Sequence, residues 1–298
     1  MAKTVQPTYR QGEQYVREQL DPQVVTDDPT ALYRYQLFLT HQWSLTDYVQ
    51  HVDEEMPATE WEQLKKLVRR LNAYEPLQYI VERAYFYDRF WHVDQRVLIP
   101  RPETEGLVDQ ARQFIERAPD KALRMADIGT GSGIIGLTLK RLYPTLDVVL
   151  TDVSSDALAV AQMNATDHQL EVTMRQGSLL EALSVDEVQA LDIIVSNPPY
   201  IAFSEQTVMD ESVKRYEPQL ALYAQQEGLA LYETLFRQVK AAHVTPTILL
   251  ECGYRQGTAI QQLAHGHLPN WDVTIVPDEQ GHDRIIIIEP KQSVADEQ

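Results

Sequence analysis

One cysteine, Cys252, stands in 298 residues, so no disulfide can form within the chain and a reducing compartment is expected. Long apolar runs are missing as well. The longest run of large aliphatic residues is Ile285–Ile288, against the ~18 apolar residues a membrane-spanning helix needs. The opening MAKTVQPTYRQGEQYV has no apolar centre, so no secretory signal is expected in it. Basic residues are scarce: 26 Lys and Arg face 44 Asp and Glu, a formal net charge of −18. Such a surface repels a phosphate backbone and speaks against duplex binding, although net charge alone does not exclude a local basic patch. A cytoplasmic location is the expectation.

What is present is ordinary globular material. Apolar residues make up 44% of the chain, enough for a sizeable core. At roughly 150 residues per domain the length suggests two domains. Residues 1 to about 80 carry helical patterns and no convincing strand: Tyr15–Leu20, Ala31–Leu39, Leu45–Val52, and a run opened by a Thr59/Glu62 capping box. That last run continues with Trp61, Leu64, Leu67, Val68 and Leu71 at helical spacing. Residues 83–99 are aromatic and β-branched with an alternation broken at Tyr87-Asp88, which predicts a β-hairpin. From Leu123 the texture changes to alternating strands and helices. MADIG, DVVLTDV, VTMRQG, IIVSN and ILLEC read as strands, with helices at Ile134–Leu142 and Ser155–Asn164. VTIV and RIIIIEP read as a closing antiparallel hairpin, and the tail after Pro290 as frayed. The alternation predicts an α/β fold with a parallel sheet covered on both faces.

Asp127-Ile128-Gly129-Thr130-Gly131-Ser132-Gly133 sits where the first of these strands hands over to its helix. Glycines at alternate positions allow a tight turn and a close ligand approach. Asp152 ends the next strand, 25 residues after Asp127, where it can accept hydrogen bonds from ribose hydroxyls. This predicts an adenosine-containing cofactor. Gly131 to Gly136 also satisfies the dinucleotide G-x-G-x-x-G pattern, so the turn alone leaves nicotinamide and S-adenosylmethionine both open.

Asn197-Pro198-Pro199-Tyr200 follows the fourth strand at the edge where open α/β sheets bind ligands. Two prolines fix the backbone and remove two N–H donors, leaving carbonyls free to face a ligand. The Asn197 side chain and the Pro198 carbonyl then offer two acceptors for the two hydrogens of one NH₂ group. Tyr200 can pack on a planar amide or base. Accepting both N–H bonds raises electron density on the nitrogen and aims it at an electrophilic methyl group. Hydride transfer has no use for this arrangement.

Together the glycine turn, Asp152 and the NPPY tetrapeptide resemble class I S-adenosylmethionine-dependent methyltransferases that modify amide or exocyclic amino nitrogens. Two branches share NPPY: N6-adenine methyltransferases and the glutamine N5-methyltransferases of peptide chain release factors, the HemK/PrmC family. EPLQYI (75–80), VLIPRPETE (97–105), Tyr216-Glu217-Pro218, Ala221-Leu222, Glu227-Gly228-Leu229, Leu250 to Gly253 with Gln256, and Asp283-Arg284 resemble the second branch. The resemblance implies a Rossmann-like, mostly parallel seven-stranded sheet with an antiparallel C-terminal hairpin, preceded by a small N-terminal helical bundle and a β-hairpin linker. The implied boundaries are 1–82 for a bundle that docks the release factor, 83–100 for the linker and 101–298 for the catalytic domain.

Carried over by residue, Asp127, Gly129, Thr130, Gly131, Ser132, Gly133, Asp152, Ser178, Leu179 and Asn197 would serve S-adenosylmethionine. Asn197, Pro198, Pro199 and Tyr200 would hold the substrate amide, with Asn197, Pro198 and Tyr200 the catalytic set. No metal is expected. The implied reaction methylates N5 of the glutamine in the Gly-Gly-Gln loop of class I release factors and yields S-adenosylhomocysteine. A monomer with no membrane partner and no direct nucleic acid contact is expected. Two departures stand out: Ser178-Leu179 replaces the family's usual acidic residue and following aromatic or apolar one, and Glu82 stands where glycine is usual.

Other residues read more modestly. Arg101 and Glu103 are hinge or ligand contacts, and Glu217 orients NPPY or caps a loop. His265-Gly266-His267 reads as a solvated loop, Cys252 as a buried strand residue, and Trp61, Phe86 and Trp91 as packing. Three rival functions remain: an N6-adenine nucleic acid methyltransferase, which would flip a base into the same pocket; a non-catalytic adenosyl-cofactor sensor; and a dehydrogenase.

Overall fold

The computed structural model describes residues 6–291; the opening five residues and nearly all of the tail after Pro290 lie outside them. Five helices come first: α1 (Tyr9–Gln19), α2 (Pro29–His41), α3 (Leu45–His51), α4 (Ala58–Leu71) and the single turn α5 (Leu77–Ile80). Local chemistry starts three of them. Thr8 and Gln11 form a reciprocal capping box on α1, Ser44 and Asp47 one on α3, and Asp28 accepts from Thr30 N and Ala31 N ahead of Pro29 on α2. The Thr59/Glu62 box expected for α4 does not form. That helix begins one residue earlier behind Pro57, which makes no side-chain cap, so Thr59 is already inside the first turn. The apolar stripe is as expected: Leu64, Leu67, Val68 and Leu71 are buried with Tyr33, Leu37 and Val16 in a core of the bundle's own.

The hairpin that follows is shorter than 83–99. Strands β1 (Arg83–Phe86) and β2 (Arg89–His92) pair antiparallel around Tyr87 and Asp88, both at positive φ (49° and 58°), as a two-residue turn of this hand requires. Beyond His92 one long bond remains, from Val93 N to the Glu82 carbonyl at 3.4 Å, and the pairing then stops where the Asp94 carboxylate accepts from the Arg96 N–H and turns the chain. Val93, Val97 and Ile99 are buried there in an irregular strap.

The second unit contains α6 (Glu103–Glu116), β3 (Arg124–Ile128), α7 (Ile134–Leu142), β4 (Asp147–Asp152), α8 (Ser155–Asp167), β5 (Thr173–Gln176), α9 (Val185–Gln189) and β6 (Ile193–Ser196). It continues through the short β7 (Ile201–Ala202), α10 (Glu211–Tyr216), β8 (Tyr223–Ala224), α11 (Ala230–Ala242), β9 (Thr247–Glu251), α12 (Gly257–His267), β10 (Trp271–Pro277) and β11 (Asp283–Pro290). The seven-stranded sheet runs β10-β11-β9-β6-β3-β4-β5. Strands β9, β6, β3, β4 and β5 are mutually parallel, and β11 is antiparallel to both its neighbours. Alternate residues feed opposite faces. Ala126, Ile128, Ile194 and Ile248 pack against α11 and α12, whereas Met125, Ile193, Val195 and Leu249 pack against α6 and α7. Phe86 and Trp91 of the hairpin join the second face, and the indole N–H donates to the Phe86 carbonyl at 3.0 Å.

The order reverses beside β3: β4 and β5 lie on one side, β6 and β9 on the other. Open α/β sheets bind ligands at such a point, outside the carboxyl ends of the strands.

Candidate active site

Two cavities open at that edge and share a wall. The first, about 260 Å³, is lined by Gly129, Gly131, Asp152, Ser178 and Leu179 among others. The second, about 270 Å³, is lined by Tyr200, Ile201, Met209, Val213 and Leu222 among others. Asn197 and Pro198 line both, with Leu98, Arg101 and Ala221.

The β3–α7 turn is built for close approach. Gly129 and Gly131 adopt φ of 68° and 55°, and a Cβ at either would meet nothing within 4 Å. The loop is pinned from behind. Asp127, fully buried, accepts from the Thr130 hydroxyl at 2.7 Å and the Gly136 N–H at 2.9 Å. Burial pushes its carboxyl up to about 6, against the pull of those two bonds. Asp152 accepts from Gly131 N at 3.0 Å and Ser154 N at 2.9 Å, so the same carboxylate ties the two strand ends together. Burial raises its pKa too.

Asn164, on α8, belongs to none of the sequence motifs. Its buried amide donates to the carbonyls of Ser132 (2.9 Å) and His92 (3.0 Å) and accepts from the His92 N–H (2.7 Å). One side chain thereby fastens the glycine turn to the hairpin.

The NPPY segment leaves β6 after Ser196, whose hydroxyl donates to the Ile128 carbonyl at 2.6 Å. Asn197 Nδ2 donates to Thr104 Oγ1 at 3.2 Å, and that hydroxyl donates to Glu251 Oε2 at 2.7 Å. Asn197 Oδ1 is buried and accepts nothing from the described residues. A Gln256 side chain holds the next turn, donating to the Tyr200 carbonyl at 2.8 Å and accepting from Gly253 N at 3.0 Å. Burial raises the Tyr200 phenol well above its usual pKa, which keeps the ring neutral.

The segments 104–221 and 15–81 match family models described as a methyltransferase small domain and a PrmC N-terminal domain. A release factor glutamine methyltransferase of Enterococcus faecalis is 38% identical over 248 residues, covering 83% of this chain and 87% of that protein. Its counterpart in Lactococcus lactis is 40% identical over 250 residues, covering 83% and 90%. This chain belongs to the release factor glutamine methyltransferase family. Among solved structures, the hMettl16 catalytic domain in complex with MAT2A 3′UTR hairpin 1 superposes with a TM-score of 0.54 at 15% identity, covering 89% of this chain and 91% of that one. That likeness concerns the fold alone.

Within this methyltransferase, the sequence-predicted residues separate into three positions. Gly129, Thr130, Gly131, Ser132, Asp152, Ser178, Leu179 and Pro199 line the first cavity, Tyr200 lines the second, and Asn197 and Pro198 stand between. Asp127 and Gly133 line neither. Asp127 is behind the turn, and a Cβ on Gly133 would come within 2.7 Å of Leu137, so this glycine serves helix packing. The RPETE residues divide their tasks: Arg101 pairs with buried Glu217 at 2.6 Å, Thr104 reaches Asn197, and Glu105 accepts from Tyr87 N in the hairpin turn. Glu103 is exposed. Glu217 also accepts from Ile99 N at 3.4 Å and so secures the strap above the cavities. His265 and His267 occupy the last turn of α12 and not a loop. Cys252 is buried just past the end of β9, and burial pushes its thiol up to about 12. Thr104, Glu251 and Asn164 are the residues bonded into the site to which the motif reading gives no role. Thr104 and Glu251 lay inside quoted motifs, so their signal was present.

Proposed function

We propose that this family's reaction runs here across the shared wall of the two cavities, with S-adenosylmethionine in the first and a glutamine side-chain amide of a release factor in the second. The observation that carries this reading is the position of Asn197 and Pro198 on both cavities, with Asn197 Oδ1 buried and unpartnered. A buried acceptor without a donor costs free energy, and a substrate N–H offsets that cost.

The donor set suits the cofactor. The open cradle over Gly129 and Gly131 takes a ligand pressed against backbone, Asp152 offers carboxylate lone pairs to ribose hydroxyls, and Leu179 offers an apolar cover with Ser178 beside it. When bound, S-adenosylmethionine supplies a sulfonium methyl as the electrophile. Asn197 Oδ1 and the Pro198 carbonyl accept the two N–H groups of the substrate amide, which orients its nitrogen and raises its electron density. Tyr200 packs on the substrate side. Transfer of that methyl to the oriented nitrogen would release S-adenosylhomocysteine, and one N–H proton would pass to solvent.

The target glutamine is assigned to the Gly-Gly-Gln loop of a class I release factor, with residues 1–82 docking that partner, 83–100 linking and 101–298 catalysing. A helical unit with its own core, whose Ala73 carbonyl accepts from the Tyr216 hydroxyl of α10 while Val213 of that helix lines the second cavity, supports a macromolecular substrate. Among the described residues no helix is long and apolar enough to cross a membrane.

The test is methyl transfer from labelled S-adenosylmethionine to purified release factor, beside a Gln→Ala variant of its Gly-Gly-Gln loop and a DNA duplex. Label on the wild-type factor alone is expected. In Asn197→Ala, turnover collapses while cofactor affinity is retained. Label on DNA, or near-normal turnover by Asn197→Ala, overturns the reading.

A further inference from the structure

Asn197 can accept a substrate N–H only if its amide is turned with Oδ1 toward the cavity, and nothing in the tetrapeptide itself dictates that rotamer. The two ends of an amide are nearly equal in shape and opposite in hydrogen-bonding sense. We propose that Thr104 and Glu251 are positioning residues that set the orientation of the Asn197 amide through the polarity of a two-step hydrogen-bond chain. This rests on the methyl-transfer reading of the site.

The argument follows from proton counting. Glu251, at the end of β9, is 1% exposed, and Thr104, in the first turn of α6, is 3% exposed. An ionised carboxylate is acceptor-only, so the single Thr104 hydroxyl proton goes to Glu251 Oε2 at 2.7 Å. The Thr104 lone pairs then receive Asn197 Nδ2–H at 3.2 Å, which leaves Oδ1, buried and without a partner among the described residues, as the acceptor end of a side chain that lines both cavities. A protonated Glu251 reverses the chain. Its own O–H donates to Thr104, the Thr104 proton turns to Asn197, and the amide is favoured in the rotamer that presents N–H groups to the substrate's N–H groups. Three elements remote in sequence thus converge on one torsion.

Burial pushes the Glu251 carboxyl up to about 7, opposed by Thr104, Arg284 and Tyr200 and reinforced by Glu103. The groups facing it are therefore Arg284 from β11, Glu103 and Thr104 from α6, and Tyr200 from the loop after β6. Tyr232 of α11 donates to the Glu251 backbone carbonyl at 2.7 Å. The chain has the outward-facing polarity above that pH and loses it below.

The experiment is steady-state methyl transfer to a release factor by wild type, Thr104→Val, Thr104→Ser and Glu251→Gln, across pH 6 to 9. Calorimetric S-adenosylmethionine binding, run on each variant, shows that it is folded. Thr104→Val, which keeps the shape and deletes the hydroxyl, is expected to lower kcat about tenfold or more while cofactor affinity changes far less, Thr104 being one of many residues that line the first cavity. Thr104→Ser restores most of it. Wild-type kcat is expected to fall as pH drops through about 7, and Glu251→Gln to lose that limb at a lower plateau. An unchanged kcat in Thr104→Val, or the same acid limb in Glu251→Gln as in wild type, overturns the inference while leaving methyl transfer standing. No transfer by the wild type overturns the functional reading and the inference with it.

Discussion

Asp127 shows how a single residue serves the site without touching it. Both hydrogen bonds it accepts fall on Oδ2, and Oδ1 has no partner among the described residues. A group whose folded pKa is raised binds more protons folded than unfolded between its two pKa values. Its contribution to stability is therefore fully present below the unfolded value, near 3.8, and is lost as pH rises through about 6. Asparagine keeps one acceptor for Thr130 and Gly136 and cannot ionise. Urea unfolding should show Asp127→Asn gaining on wild type by about 3 kcal/mol between pH 4 and 7, at about 1.4 kcal/mol per pKa unit. A gap independent of pH would show that the folded carboxyl ionises as it does in the unfolded chain, with no upward shift. The motif was legible at this scale, but the division of labour was not. Adjacent glycines look alike in sequence, and only packing separates Gly131 over the cavity from Gly133 against Leu137.

At the scale of elements, the junction at Glu82 reconciles a departure from the family pattern. The residue has φ of 53°, the left-handed region in which glycine carries no Cβ penalty. The junction keeps its turn and bears the strain. Glu82→Gly should raise the urea midpoint at unchanged slope, by roughly 1 kcal/mol of relieved strain less the added freedom of the unfolded chain. A lowered midpoint would assign the Glu82 side chain a stabilising contact. Strands and their order of appearance were readable because each is a short apolar run bounded by turn residues. The helices α6, α11 and α12 are not among those the sequence pattern predicts, although Leu107, Val108, Ala111 and Ile115 mark the buried face of α6. The expected capping box of α4 failed because the helix already runs from Ala58, so Thr59 has helical backbone and is not the flanking residue from which a side chain caps the N–H groups of the first turn.

At the scale of the molecule, a net charge of −18 is a self-repulsion that compactness makes worse. Added salt shortens the Debye length from about 30 Å at 0.01 M to about 8 Å at 0.15 M. The melting temperature should therefore rise by a few degrees over that range of sodium chloride, measured by scanning calorimetry at neutral pH. An unchanged or lowered melting temperature would mean that local ion pairs such as Arg101–Glu217 outweigh the global term.

The sequence by itself determined the class of chemistry and most of the fold. The alternating strands, the glycine turn, Asp152 and NPPY are contiguous patterns whose physical meaning is local: a period, a turn, an acceptor beside a proline. Only the tertiary structure decided what stands behind Asn197. Thr104 and Glu251 lie 93 residues before it and 54 after it in the chain. They meet because β9 pairs with β6 in the sheet while α6 packs across β9. Hydrogen-bond polarity is a property of that meeting, since no residue in the chain specifies alone which end of an amide faces a cavity.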